Sequence, residues 1–387
     1  MSEAVIVSVA RTPFARFGGA LKDLHPSIYG GLVIKEVLER AQVAGEDVDD
    51  VIMGNSNASD GNTARLSLLE GGLPISVPGI TIDRLCGSGI NAVALASDAI
   101  RAGSGRIIVA GGTESLTRAP YLMEPPAQPF NMLPPKFIRK QQAPERIGSP
   151  PMGITAENLV DRYNISREEQ DAFAFRSQQK MKQAVERGFY DNQIVPVPIK
   201  GRKGETYLFS KDEHPRPEST LEGMAPLRPA FKADGTVTAG NASGICDGAA
   251  ALLVMSADEA ESRNLESLAR IADWAIAGVD PNIMGIGPVP AIKKLLERTG
   301  LTLDDIDLIE INEAFASQVL ACDRELNMDM EKVNVNGGAI AHGHPIAATG
   351  GMLVMKLAHE MKNRDVKRGL VSACIGGGQG IALLLER

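Results

Sequence analysis

Two cysteines and one histidine carry the most suggestive chemistry in this sequence. Cys86 follows the apolar residues Ile80 and Ile82 and is followed by Gly87 and Gly89. A strand, a tight glycine turn and a helix would put its thiol at a helix amino terminus. There, unpaired N–H groups and the positive end of the dipole favour thiolate and offer donors to an oxyanion. The competing reading is a buried structural cysteine. Cys374 ends the apolar run Leu370-Val371-Ser372-Ala373 and precedes Ile375-Gly376-Gly377-Gly378-Gln379-Gly380. Glycines after a strand imply backbone brought close to a ligand or another segment. The spacing is not that of a dinucleotide fingerprint, and a structural role for Cys374 stays open.

His344 lies among small residues, two positions after His342. A metal site would need further carboxylate or thiolate ligands, so a general base for a nearby thiol fits better. Asn312 ends the strand-like run IDLIEI, where α/β folds place their sites, although it could equally bond the following turn. The small-residue segment from Asn241 suits close contact with a slender ligand or tight packing. Lys136, Arg139, Lys140 and Arg146, and a second group of Lys200, Arg202 and Lys203, could meet phosphates or form solvated surface. His25, His214 and His359 read as surface residues.

The elements around these residues must position them. The first 115 residues alternate apolar runs with helical patterns, and the last 120 repeat the theme, which is an α/β order. The segment from Val33 to Met53 aligns without a gap on Ala291 to Ile311. Leu38-Glu39-Arg40 matches Leu296-Glu297-Arg298, and Asp47 matches Asp305, at a constant shift of 258 positions. The period is far too long for a solenoid and implies two similar packed domains. Between them, nine of the 23 prolines fall between Pro120 and Pro151, which excludes regular helix there. A helix follows, with Ser166 and Glu169 in capping-box spacing. We expect residues 1–115 plus 244–266 to form an N-terminal domain, 116–243 an inserted loop domain carrying binding function, and 267–387 a C-terminal domain.

Bulk properties exclude several classes. A chain of 387 residues with 44% hydrophobic and 23% charged content is an ordinary globular protein of more than one unit. A formal net charge of −8 argues against nucleic acid as partner. No stretch approaches the roughly 20 apolar residues of a membrane span, and no targeting signal is apparent. Four cysteines, far apart and without a C-x-x-C, indicate neither disulfides nor zinc. A cytoplasmic location is expected.

The motifs VIVSVARTPF, LCGSG around Cys86, GNASGICDGAAA, INEAFA, NVNGGAIAHGHP and CIGGGQG resemble, in order and spacing, those of the thiolase family along essentially the whole chain. The resemblance implies duplicated βαβαβαββ domains forming a five-layered αβαβα sandwich with an inserted loop domain. It implies that Cys86 carries the acyl group, His344 activates it, and Cys374 is the second acid/base. Asn312 would hold a water that, with His344, donates to the thioester enolate oxygen. The N–H groups of Cys86 and Gly376 would form a second oxyanion hole. Ser243, Ala242 and Ala239 match positions lining the pantetheine of coenzyme A. Phe231, Met152, Met284 and Phe315 match apolar positions nearby, and Arg216 matches an arginine near the adenine nucleotide. Coenzyme A is then a co-substrate, with no permanently bound cofactor and no metal. A homodimer or homotetramer follows, with a β-oxidation complex as a possible setting.

Departures bear on specificity. Pro151-Met152-Gly153 stands where short-chain members carry His-Met-Gly, which favours a degradative or broader-range enzyme over an acetoacetyl-CoA thiolase. His342 replaces a common leucine, Ala347 a glycine and Cys246 a frequent asparagine, all in motifs near the site and able to tune chain-length preference. Three other readings compete. A ketoacyl-synthase-type condensing enzyme would lack Cys374. A cysteine hydrolase could use Cys86, His344 and Asn312, but the duplication argues against it. A non-catalytic acyl-CoA-binding protein would not need all four chemical positions.

Overall fold

The computed structural model describes residues 2–387 except 59, 127, 131, 132, 202 and 203. Nine strands build the framework: β1 (Ala4–Arg11), β2 (Asp50–Gly54), β3 (Gly79–Ile82), β4 (Ile107–Ser115), β5 (Cys246–Ser256), β6 (Ala269–Gly278), β7 (Leu308–Ile311), β8 (Arg368–Ile375) and β9 (Gln379–Glu386). Their order across the sheet is β7-β8-β9-β6-β1-β5-β4-β2-β3, and the two-residue strand Ala15–Arg16 also pairs with β5. β1 meets β6 through only two residue pairs, Val5 with Arg270 and Ile6 with Ala269. That narrow seam joins two similar half-sheets.

Side-chain alternation sorts the core into three layers. On β5, Leu252 and Val254 enter one apolar cluster while Ala251, Leu253 and Met255 enter another. On β9, Ile381, Leu383 and Leu385 share the first cluster, and Ala382 and Leu384 enter a third. The shared cluster is the space between the half-sheets, and it holds two helices. These are α3 (Ser88–Ala102), preceded in the chain by α1 (Pro26–Ala41) and α2 (Thr63–Glu70), and α8, described below. The outer faces are covered by α1 and α2 on one side. On the other side lie α6 (Pro288–Thr299) and α7 (Ala316–Leu326), which follow α4 (Met152–Tyr163) and α5 (Arg167–Glu186) in the chain. The middle helix α8 (Ile346–Arg364) is buried on every face from Ala347 to Ala358, as a helix flanked by two sheets must be. The layers therefore read α, β, α, β, α.

α3 and α8 cross where neither has a side chain. A Cβ on Gly89 would lie 2.4 Å from the Gly351 nitrogen, and one on Gly350 would lie 2.4 Å from the Ile90 nitrogen. The backbones therefore touch, and both helices start on the same side of the crossing.

The two halves repeat in detail. α1 ends at Gln42 and α6 at Gly300, both in the left-handed conformation. The short 3-10 turns Gly45–Asp47 and Leu303–Asp305 follow at matching positions. Asp49 Oδ2 accepts the N–H groups of Arg106 and Ile107 at 2.6 and 3.0 Å. Its counterpart Asp307 Oδ2 accepts those of Lys367 and Arg368 at 3.0 and 2.9 Å.

The copies differ at one edge. The first half runs β1-α1-β2-α2-β3-α3-β4-β5, but in the second the strand equivalent to β3 shrinks to a single bridge between Ile309 and Val333. Asn334 replaces the missing ladder with its side chain. Its Oδ1 accepts from the Ile311 N–H, and its Nδ2 donates to the Ile311 carbonyl, each at 2.9 Å.

Between β4 and β5 the chain leaves the sandwich. Among the described residues the proline-rich stretch has only the two-residue strands Leu122–Met123 and Phe137–Ile138 as regular structure, as the prolines require. The expected helix forms as α5 with a complete capping box at Ser166 and Glu169. α4, twelve residues long, was not read from the sequence; its stop is Asn164 in the left-handed conformation rather than a glycine.

Candidate active site

β3 ends at Ile82, and the chain turns sharply before α3. Leu85 holds φ at +45°, a conformation that costs a non-glycine residue energy and clusters at functional turns. The turn bonds to itself: Leu85 N–H donates to Asp83 Oδ1 at 2.9 Å, Arg84 N–H to Ser88 Oγ at 2.8 Å, and Ser88 Oγ to the Leu85 carbonyl at 2.8 Å. Cys86 lies in the 3-10 turn Leu85–Gly87, just ahead of α3 rather than inside it, and is half-buried.

His344 occupies the corresponding place ahead of α8, 258 positions on, and its Nε2 lies 3.2 Å from Cys86 Sγ. The chain reaches it through Gly343 at φ +92°, where a Cβ would fall 2.2 Å from Cys246 Sγ, so only glycine fits. His344 N–H donates to the Gly244 carbonyl at 2.9 Å. Its Nδ1 is 2.7 Å from Thr349 Oγ1. For Nε2 to accept the thiol proton, the ring proton must sit on Nδ1 and point at Thr349. Thr349 was not singled out from the sequence. Its only signal there is a hydroxyl among small residues five positions after His344.

The remaining expected residues gather around this pair. Asn312 follows β7 with its Nδ2 3.4 Å from His344 Nε2, while its buried Oδ1 has no partner among the described residues. Cys374, the penultimate residue of β8, is fully buried in an apolar cluster with Met152, Ala242, Met284 and Phe315. Phe231 stands edge-on to Phe315 at 6.0 Å between ring centres. Ser243 N–H donates to the Ala314 carbonyl at 3.0 Å. Ala239 and Arg216 are outside this cluster: both are exposed, and Arg216 N–H donates to Gln178 Oε1. At Gly376 a Cβ would come within 2.5 Å of Gln142 Oε1 and 2.9 Å of Leu85 Cδ1. Its N–H and that of Cys86 itself lie near the Cys86 sulfur and favour its ionised form.

Electrostatics correct one expectation. Burial pushes the Cys86 thiol up to about 11, with the charges of Glu114 and Asp83 adding to it, and the N–H groups of Gly376 and Cys86 only partly offset this. Burial also lowers His344 to about 4. Both shifts favour a neutral thiol beside a neutral imidazole over the thiolate expected of a helix terminus, desolvation outweighing the N–H donors at the sulfur. Burial raises Cys374 well above an ordinary thiol.

Other sequence candidates separate from the site. His342 turns away, its Nδ1 donating to the Gly343 carbonyl at 2.8 Å and its ring edge-on to Phe14. Among the described residues no group of three or more His, Cys, Asp or Glu converges to hold a metal. His342, Ala347 and Cys246 are each fully buried, behind the His344 turn. Lys140 is engaged, donating to the Ser56 carbonyl at 2.8 Å and to Asp83 at 3.1 Å. Lys136, Arg139 and Arg146 are exposed, and Lys200 is exposed too, whereas Arg202 and Lys203 lie outside the described residues. His25, His214 and His359 are half-buried rather than surface groups, and His25 caps α1 by accepting from Ser27 N–H. No helix among the described residues is long and apolar enough to cross a membrane.

Comparison with known proteins agrees with this architecture. Residues 4–258 match the thiolase N-terminal domain and residues 265–387 the thiolase C-terminal domain. The chain is 49% identical to an acetyl-CoA acetyltransferase of Cupriavidus necator, with 100% of both chains covered. It is 47% identical to a beta-ketoadipyl-CoA thiolase of Pseudomonas aeruginosa, covering 100% of this chain and 99% of that one. The structure superposes on human mitochondrial 3-ketoacyl-CoA thiolase with a TM-score of 0.93 at 42% identity, over 100% of this chain and 99% of that one. With its duplicated five-layer sandwich and both family domains end to end, this chain belongs to the thiolase family and is a thiolase.

Proposed function

We propose that this thiolase cleaves 3-oxoacyl-CoA with coenzyme A, giving acetyl-CoA and a shortened acyl-CoA through an acyl-Cys86 intermediate. The observation that carries this reading is the 3.2 Å approach of His344 Nε2 to Cys86 Sγ, beside buried Cys374. As the sulfur attacks the keto carbon, neutral His344 takes its proton. The carbon–carbon bond then breaks, and its electron pair leaves as the acetyl-CoA enolate, which Cys374 protonates. The coenzyme A thiol gives its proton to the Cys374 thiolate and attacks the acyl-Cys86 thioester, and the proton held by His344 returns to the leaving sulfur. The Gly376 and Cys86 N–H groups stabilise the oxyanion on the acyl group. Asn312 and His344 serve the enolate oxygen through a water. Removing one such donor costs about 3–4 kcal/mol in other enzymes.

The pantetheine arm would run past Ser243, Ala242 and Ala239, between Met152, Met284, Phe231 and Phe315, with Arg216 toward the adenine nucleotide. Pro151 caps α4 directly before Met152, so the departure from His-Met-Gly falls beside the Cys374 cluster. That favours degradative or broad-range cleavage, an acetyl-CoA C-acyltransferase. The second reading, an acetoacetyl-CoA thiolase, is favoured by the acetyl-CoA acetyltransferase relatives. Coenzyme A-dependent loss of 3-oxoacyl-CoA enolate absorbance across chain lengths decides between them. A peak at acetoacetyl-CoA selects the second reading, activity spread over longer chains selects the first, and none at any length overturns both. The reading also implies at least a homodimer in the cytosol, and a monomeric mass by light scattering would contradict the assembly.

A further inference from the structure

Glu114 is a buried carboxylate, 0% exposed, that none of the steps above uses. It sits next to the end of β4 and accepts three main-chain donors at fixed places. Its Oε2 receives Ser56 N–H at 3.2 Å and Ala347 N–H at 3.3 Å, and its Oε1 receives Asn57 N–H at 3.1 Å. Ala347 lies in the first turn of α8, three residues past His344. Ser56 continues the chain of contacts, because its Oγ donates to Asp83 Oδ1 at 2.8 Å, and Asp83 Oδ1 accepts Leu85 N–H at 2.9 Å. Leu85 is the residue before Cys86. One line of hydrogen bonds thus runs from the helix that carries the imidazole to the turn that carries the thiol.

Packing leaves this line little slack. A Cβ on Gly112 would lie 2.1 Å from the Ala347 carbonyl, and one on Gly54 would lie 2.5 Å from Ser88 Cβ and 3.3 Å from Ala347 Cβ. β4 and β2 therefore press on both turns at once. Three N–H donors converge on a single carboxylate, which no neutral side chain of the same shape can satisfy: an amide would turn its own N–H groups toward at least one of them.

We propose that Glu114 is a positioning residue that, through Ser56 and Asp83, holds the Cys86 turn against the His344 helix and so sets the sulfur–imidazole distance. This rests on the roles given above to Cys86 and His344. Burial raises the Glu114 carboxyl to about 7; above that pH it is charged, and together with Asp83 it then disfavours the Cys86 thiolate. The arrangement keeps the thiol protonated until His344 takes the proton in the attack.

Glu114→Gln tests this through two separate readouts, turnover and thiol reactivity. Loss of the clamp lowers kcat by about tenfold to a hundredfold, with KM for the acyl-CoA within about twofold of the parent. Loss of the charge shifts the pH midpoint for alkylation of Cys86 by iodoacetamide, followed by peptide mass, to lower pH. Ser56→Ala breaks the line without altering charge, so kcat falls by less and the alkylation midpoint stays put. A folded Glu114→Gln enzyme with parental kcat overturns the proposal. If Glu114→Gln does not fold, parental kcat in Ser56→Ala overturns it alone. Cys86→Ala is the control: turnover surviving in it would sink the catalytic reading itself, whereas an inert Cys86→Ala beside a fully active Glu114→Gln removes only the clamp.

Discussion

The turn ahead of α3 and the turn ahead of α8 are the same structural place in two copies of one fold. In the first copy it holds Cys86, half-buried; in the second, 258 positions later, it holds His344, 8% exposed. Because the two helices cross at glycines, the two positions face each other across a single gap. Duplication supplied two equal sockets. Filling them with different side chains turned a symmetric junction into a nucleophile and a base.

Breaking the comparison at the sulfur should have the largest effect. Cys86→Ala removes the acylated species from intact-mass spectra and lowers turnover by about 10⁵–10⁶-fold. Cys374→Ser sharpens it by leaving both sockets intact. Cys86 should still be acylated from an acyl-CoA, while exchange of the acetyl-CoA methyl protons with deuterium oxide stops and overall turnover falls about 10²–10⁴-fold; normal turnover would discard the two-cysteine mechanism. His344→Ala should cost a similar 10²–10⁴-fold, approximately the worth of a positioned base. In the parent, His344 accepts a proton only when neutral. With its pKa lowered to about 4, the acid limb of kcat/KM should fall near pH 4 rather than near the ordinary histidine range. A limb near 6.5 would show the ring to be far less buried than its surroundings indicate. The smallest effect lies away from the chemistry. Asp49→Ala and Asp307→Ala, which remove equivalent main-chain acceptors, should each lose about 1–2 kcal/mol in urea unfolding. Unequal losses would mean the copies have diverged in the framework as well as in the sockets.

Much of this was legible in the sequence, for a physical reason. The ungapped match of Val33–Met53 with Ala291–Ile311 preserves helix, turn and strand, and the structure keeps that register through both turns and both aspartates. Cys86, His344 and Cys374 stand within two residues of a glycine, and Asn312 follows a strand, places where local pattern marks a turn that serves something. Glu114 stands at a strand end too, but its partners Ser56 and Ala347 are 58 and 233 positions away. Contacts of that span leave no local trace. The thiolate expectation rested on the helix start alone, whereas burial around Cys86, which raises its thiol to about 11, is set by residues far away in the chain. His342 and Cys246 adjoin the motif as expected, but His342 closes the short helix Ala339–His342 with its ring on Phe14, and Cys246 opens β5 behind the His344 turn.

The asymmetry at Asn334 has a consequence for the protein outside its chemistry. A strand at the border of a sheet normally presents unpaired N–H and C=O groups, a template on which a foreign strand can grow. β7 is such a border strand, yet its outer groups are already taken. Ile309 bonds Lys332 and Asn334 through the main chain, and Ile311 bonds the Asn334 amide. One asparagine, held at φ +45°, thereby finishes the border with a side chain. An Asn334→Ala chain would be expected to expose that margin, making self-association during refolding, rather than lost turnover, the hazard this residue guards against.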